Sequence, residues 1–242
     1  MKQDYKINAL GDSAITIDFG NVIDEMINQR VIALFHYLQQ QSIAGVRDII
    51  PCYSSLTIIY DPEHATLHKE FSGSYTFFKN LLEQSIKNMP VKKEVPAGVI
   101  KIPVCYHESL APDLNLVSAK TNLSPAAIIQ LHCDKMYRVY MIGFLPGFAY
   151  MGKTDQRIAV PRKETPAPLV ARGSVGIAGM QTGIYPLDSP GGWNIIGQTP
   201  LKMFDAKREN AVLLQPGDRV QFVSISLDEF HNRSMETTLH KV

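Results

Sequence analysis

Apolar and polar positions alternate from Tyr5 to Gly20, with Ile15, Ile17 and Phe19 following the turn Gly11-Asp12-Ser13, and a period of two predicts a β-hairpin. The period then changes. From Asp24 to about Gln41, Met26, Ile27, Val31, Leu34, Phe35 and Leu38 recur at spacings of three and four, while Asn28, Gln29 and Gln39 fall on the other face, which predicts an amphipathic helix. Val46 to Ile50 and Ser55 to Tyr60 read as two strands joined near Pro51, and Glu63 to about Met89 as a helix broken at Ser72-Gly73-Ser74. This ββαββα order predicts a small α+β domain over residues 1–90, with helices covering one face of an antiparallel sheet. Met89 to Gly98 carries two prolines, two lysines and no periodicity, so the domain boundary is expected there.

Beyond the boundary, Val99 to Tyr106, Tyr137 to Phe144 and Arg219 to Ile225 read as strands. Ser124-Pro125 opens a helix, because serine accepts a capping bond and proline tolerates the first helical position. Ser226, with Glu229 three residues on, opens another. Between them, Arg172 to Asp205 repeats glycine and proline around short apolar runs, describing tight turns between short strands, and it holds the single tryptophan, Trp193, directly after Gly191-Gly192. Residues 91–242 are therefore expected to form a mainly-β barrel or sandwich.

Composition narrows the partners. The 24 Lys+Arg against 23 Asp+Glu leave no electrostatic footprint for nucleic acid or an anionic membrane. Cys52, Cys105 and Cys133 are an odd number, far apart and set among apolar neighbours, which suits reduced thiols and a cytoplasmic protein. The polar, alternating start lacks a signal-peptide core, and no later run approaches the roughly 18 apolar residues of a membrane span.

Several stretches carry candidate chemistry. Gly147 to Thr154 fits G-x-x-x-x-G-K-[ST], but a phosphate-cradling loop must run into a helix, and Asp155-Gln156-Arg157 leads instead into Ile158-Ala159-Val160 and Pro161. His64 and His68 stand four apart without the glutamate of H-E-x-x-H or a third ligand, so no metal is expected. Ser174 does not sit in a G-x-S-x-G elbow. His132, on the helix opened by Ser124, is a core histidine by default and a catalytic candidate only because proton transfer near neutral pH needs a titrating group. In GFLPGFAYMG the rings of Phe144, Phe148 and Tyr150 lie between glycines and prolines, either as a barrel plug or as a rigid contact surface. At least one of Phe148 and Tyr150 is expected to act as a contact. Arg162 and Arg172 could each clamp a carboxylate or phosphate.

The runs GFLPGFAYMG, Pro161-Arg162, GSVGIAGMQTGIYP, SPGGWNIIG, TPLKMFD and PGDRVQF, with LGDSAITIDFG near the start, resemble the 5-oxoprolinase B-subunit family. That family is also named allophanate hydrolase subunit 1 and includes the inhibitor of the sporulation histidine kinase; related domains occur in urea carboxylase. The resemblance implies an N-terminal α+β domain followed by a cyclophilin-like β-barrel. It further implies a place in a multisubunit, ATP-dependent enzyme that opens 5-oxoproline to glutamate, with companion C and A subunits and with ATP bound by the complex rather than by this chain alone. The alternative it implies is a protein that docks on a sensor histidine kinase and blocks its autophosphorylation. Carried over residue by residue, the pattern covers Phe144, Phe148, Tyr150, Arg162, Gln181, Thr182, Tyr185 and Trp193, and the rings with Gln181 and Thr182 are expected to line a groove as substrate or partner contacts. The pattern implies no catalytic assignment, and His132, Arg162 and Arg172 stand as catalytic candidates on their residue chemistry alone. The chain departs from the pattern at His107, Ala167, Leu169 and Gln198, the last standing where arginine is common.

Overall fold

The computed structural model describes residues 4–65, 73–90 and 98–239. The chain divides into two units, Met1–Pro96 and Ala97–Val242.

In the first unit, β1 (Lys6–Leu10) and β2 (Ala14–Asp18) form the expected hairpin. Helix α1 (Glu25–Gln39) starts where Asp24 accepts a bond from the Ile27 amide. β3 (Val46–Pro51) and β4 (Ser55–Tyr60) complete an antiparallel sheet of order β1-β2-β4-β3. A short helix α2 (Pro62–Ala65) and helix α3 (Ser74–Asn88) follow. Alternation in β2 and β4 sends Ile15, Ile17, Leu56 and Ile58 to one face, where they pack with Val31, Leu34 and Leu38 of α1 and Phe78 and Leu82 of α3. Each such side chain, fully buried, contributes roughly 1.5–3 kcal/mol. His68 lies outside the described residues, so the His64/His68 spacing is not placed.

The second unit is built on a closed barrel. Its strands are β5 (Val99–Cys105), β6 (Met136–Ile142), β7 (Ala149–Gly152), β9 (Ser174–Ala178), β10 (Gln181–Ile184), β12 (Asn194–Gln198) and β13 (Arg219–Ile225). They are arranged in the order β10-β7-β6-β13-β5-β12-β9. β13 runs parallel to β5 and the other pairs are antiparallel, so the barrel is mixed. β8 (Ala167–Val170) and β11 (Ser189–Gly191) form a separate two-stranded sheet. Helix α5 (Pro125–Cys133) is capped by the Ser124 hydroxyl at the Ala127 amide, and α6 (Leu227–Leu239) by the Ser226 hydroxyl at the Glu229 amide. Helix α4 (Leu114–Thr121) has no counterpart among the sequence expectations; it is little more than two turns long and buries only Leu114 and Val117, too few apolar positions to register as a period. Among the described residues no helix is long and apolar enough to cross a membrane.

Val139, Met151, Val175, Ile177, Ile184, Val220 and Phe222 fill the barrel interior. A second cluster, Phe148, Val170, Ala178, Tyr185, Trp193 and Ile195, lies apart from it. β9 is buried along its whole length, since Val175 and Ile177 join the interior while Ala178 joins the second cluster.

Candidate functional site

The structure brings together, on the outer side of β7, β10 and β12, most of the aromatic residues singled out in the sequence. Phe148 is the hub. Its ring meets Trp193 edge-on at 5.4 Å, Tyr185 at 5.1 Å, Tyr150 at 4.7 Å and Phe144 at 5.7 Å. These spacings are those of favourable aromatic pairs. The floor is glycine: a Cβ on Gly183 would lie 3.0 Å from both the Phe148 and Trp193 rings, so a larger residue would crowd them. Gly191 likewise leaves room for the Tyr185 hydroxyl, which accepts a bond from the Trp193 amide.

Burial divides this set. Phe148, Thr182, Tyr185 and Trp193 are buried, Tyr150 and Gln181 are half-buried, and Phe144 is 63 % exposed. Phe148, Tyr185 and Trp193 pack with Val170 and Ala167 of β8 into one cluster beneath the more exposed rings of Phe144 and Tyr150. Phe144 has φ 66°, a left-handed conformation that non-glycine residues rarely adopt. The loop holds it there through the bonds Leu145 N–H to Gly143 O and Phe148 N–H to Leu145 O, at 2.8 and 3.0 Å.

Arg162 sits over this cluster, its guanidinium carbon 5.9 Å from the Trp193 ring centroid, within cation–π range. Residues that sequence reasoning passes over put it there. Asn194 donates to Pro161 O at 2.8 Å and to Ile177 O at 3.2 Å, tying the arginine segment to β9. Lys163 pairs with Asp113 at 2.5 Å, and the same carboxylate accepts from the Ile195 amide at 2.7 Å. Asp113 and Lys163 are fifty positions apart, and no local pattern announces the pair. Burial raises the pKa values of Tyr150 and Tyr185, with Arg162 opposing the rise in both.

Arg172 lies elsewhere on the same unit, at a cavity of about 180 Å³ whose walls include Gly173, Pro186, Thr199 and Phe230 of α6. The cavity connects to the aromatic cluster through the chain, since Pro186 follows Tyr185 and Gly173 N–H donates to Tyr185 O at 2.6 Å. Gln198, one of the departures from the family pattern, donates to Arg172 O at 2.7 Å.

His132 is in neither place. It is fully buried, stacked on Phe222 with centroids 4.3 Å apart, and both ring nitrogens are engaged. Thr182 donates its hydroxyl to Gly176 O at 3.1 Å and so accepts from His132 Nε2 at 2.9 Å. Nε2 therefore carries the proton, and Nδ1 accepts from the Tyr106 hydroxyl at 2.8 Å. Tyr106 in turn accepts from the Cys133 thiol at 3.4 Å. Burial lowers the pKa of His132 from 6.5 to about 3, so the ring stays neutral at physiological pH. The arrangement is a satisfied hydrogen-bond chain inside the barrel, and Thr182 serves it rather than an outside ligand.

Half of the Gly147–Thr154 stretch is strand. Ala149–Gly152 is β7, paired in register with Gln181–Ile184, so those amides are spent on the ladder instead of turning toward a phosphate. A 3-10 turn, Gln156–Ile158, follows where a P-loop would need its helix. All three cysteines are free thiols.

Residues 5–214 match the family model for the carboxyltransferase domain, subdomain C and D. The chain is 42 % identical to the B subunit of 5-oxoprolinase from Bacillus subtilis (strain 168), covering 94 % of this chain and 95 % of that protein. It belongs to the 5-oxoprolinase B-subunit family. A second member, from Escherichia coli O157:H7, is 35 % identical over 88 % of this chain and 93 % of its own length. Among solved structures, TTHA0988 is 36 % identical with a TM-score of 0.77 over 88 % of this chain. The present chain spans only 40 % of TTHA0988. The family pattern explains why the GFLPGF, SPGGW and TPLKMF runs stand out from the sequence: Gly147 packs on Met203 and Phe204, and Trp193 on Phe148, so the runs are one packed unit.

Proposed function

We propose that the chain is the B subunit of an ATP-dependent 5-oxoprolinase, acting with companion C and A subunits to open 5-oxo-L-proline to L-glutamate. In this reading it consists of an N-terminal α+β domain, residues 1–90, and a cyclophilin-like barrel domain, residues 91–242. The observation that carries the proposal is the similarity, over nearly the whole chain, to proteins named as 5-oxoprolinase B subunits. Opening a lactam requires its carbonyl to be made electrophilic, which ATP does by phosphorylating the oxygen; a guanidinium then stabilises the developing charge. Arg162 is suited to this, held above Trp193 by Asn194 and by the Lys163–Asp113 pair. The nucleotide belongs to the complex, because the P-loop-like stretch of this chain is committed to the barrel.

Phe144 and Tyr150 are then the rings that meet a companion subunit or substrate, with Phe148, Tyr185 and Trp193 holding them in place. The test is 5-oxoproline-dependent ATP hydrolysis by the chain alone and with the C and A subunits. Turnover is expected only in the mixture, and robust turnover by this chain alone overturns the assignment of a dependent subunit. Lys153→Ala is expected to leave nucleotide binding by the complex unchanged. The exposed, conformationally constrained Phe144 also suits docking on a sensor histidine kinase. Inhibition of kinase autophosphorylation that Phe144→Ala abolishes, without any 5-oxoproline-dependent turnover by the mixture, would establish that reading instead.

A further inference from the structure

We propose that α6 is a lid on the cavity beside Arg172, hinged at Ser226 and latched by Phe230. β13 ends at Ile225 and α6 begins at Leu227, so a single residue joins the helix to the barrel. Of its side chains from 227 to 235 only Phe230 is buried, at 8 % exposure, while Met235 is 57 % exposed. Phe230 and Ser234, one turn apart, supply the helix side of the cavity lining. Gly173, Pro186, Thr199 and Leu201, close to the ends of β9, β10 and β12, supply the barrel side.

The two sides are held differently. On the barrel side, backbone bonds join segments distant in sequence: Gly173 N–H donates to Tyr185 O at 2.6 Å, and Thr199 N–H donates to Gly173 O at 2.9 Å. On the helix side, bonds run within the segment itself. The Ser226 hydroxyl caps the Glu229 amide at 3.1 Å, Glu229 pairs with Arg233 at 2.6 Å, and the Ser234 hydroxyl donates to Phe230 O at 2.8 Å. Those bonds can travel with the helix, so the buried side chain that α6 gives up on lifting is one phenyl ring. Elements with so little buried apolar surface open locally, well short of global unfolding.

Lifting has two consequences that can be measured. A helix of 13 residues is marginal in water by itself, so once Phe230 withdraws its turns loosen and their amides exchange. Thr199, a cavity residue only 3 % exposed, becomes reachable from solvent. A molecule that takes the place of the Phe230 ring holds the lid open, and one that packs against the ring holds it shut. Occupancy of the cavity and the position of α6 are therefore coupled.

The experiment follows amide hydrogen exchange, residue by residue, in the full chain across sub-denaturing urea, and beside it the rate at which N-ethylmaleimide modifies Thr199→Cys, with the modified peptide identified by mass. The amides of residues 230–235 are expected to exchange at least about a hundredfold faster than those of Val175 and Ile177 in β9, with little dependence on urea, because their opening exposes little surface. Phe230→Ala is expected to speed both α6 exchange and Thr199→Cys labelling by roughly tenfold to a hundredfold, the weight of one buried ring. Phe230→Leu should give a smaller change of the same sign in both, and serves if the alanine variant does not fold. The proposal falls if the α6 amides share the rate and the urea dependence of β9, since the helix then opens only with the whole unit. It falls equally if the side chain at 230 leaves the labelling rate unchanged, since the helix then frays without uncovering the cavity.

Discussion

Two polar constellations in the barrel unit look alike in a residue inventory and differ in every physical respect. His132, Tyr106 and Thr182 are buried, with the half-buried Cys133 at one end, and their hydrogen bonds form one directed chain ending on Gly176 O. Arg162 and Arg172 are exposed: the first lies over the Trp193 ring, its segment tied by Asn194 to Pro161 O, and the second has its backbone held by Asp188 and Gln198 and its guanidinium without a partner among the described residues. The difference teaches where chemistry is available: a satisfied network in low dielectric stabilises one conformation, whereas a cation held at its root and unpaired at its tip is ready for an anion.

The largest effect is expected at Phe148, the support of the outer site. Phe148→Ala should lower stability by about 3–5 kcal/mol, seen as a reduced denaturant midpoint. A near-normal midpoint would mean that the ring is not a buried hub. Acid tests the inner network. The folded state holds His132 neutral down to about pH 3, while the unfolded ring protonates near its ordinary 6.5, so the unfolded chain binds the extra proton. Its contribution is complete above about pH 6.5 and is lost as pH falls from there toward 3, on the order of a few kcal/mol. His132→Gln should flatten the difference in urea midpoint across that window; parallel curves for both proteins would show that the ring is not shielded from protons.

Tyr106→Phe removes the donor to His132 Nδ1 and leaves that nitrogen buried without a partner, at a cost of about 1–3 kcal/mol in the same measurement. The outer positions should respond in the opposite sense. Phe144→Ala and Arg162→Ala are expected to change stability by no more than about 0.5 kcal/mol while weakening assembly or turnover of the complex. A large loss of stability from either would place it with Phe148 rather than with the contact surface.

Much of the chain is legible locally. The Gly11-Asp12-Ser13 hairpin, the strand Ser55–Tyr60, the Ser124 and Ser226 caps and the strand Arg219–Ile225 follow from period and capping chemistry that act over a few residues. The family motifs are legible too, because their glycines, prolines and single tryptophan occur in long, specific runs. Local signals do not say which of Phe144 and Phe148 faces water, since both sit in the same loop and only the packing of β7 against β10 and Trp193 separates them. They do not show that His132 meets Thr182 fifty residues away, nor that Asp113 and Lys163 steady the arginine segment. Nor do they place Arg172 at a cavity partly walled by a helix that begins more than fifty residues later. Barrel closure decides these pairings: it joins strands distant in sequence and settles, residue by residue, which side of each strand is enclosed and which is left to bind.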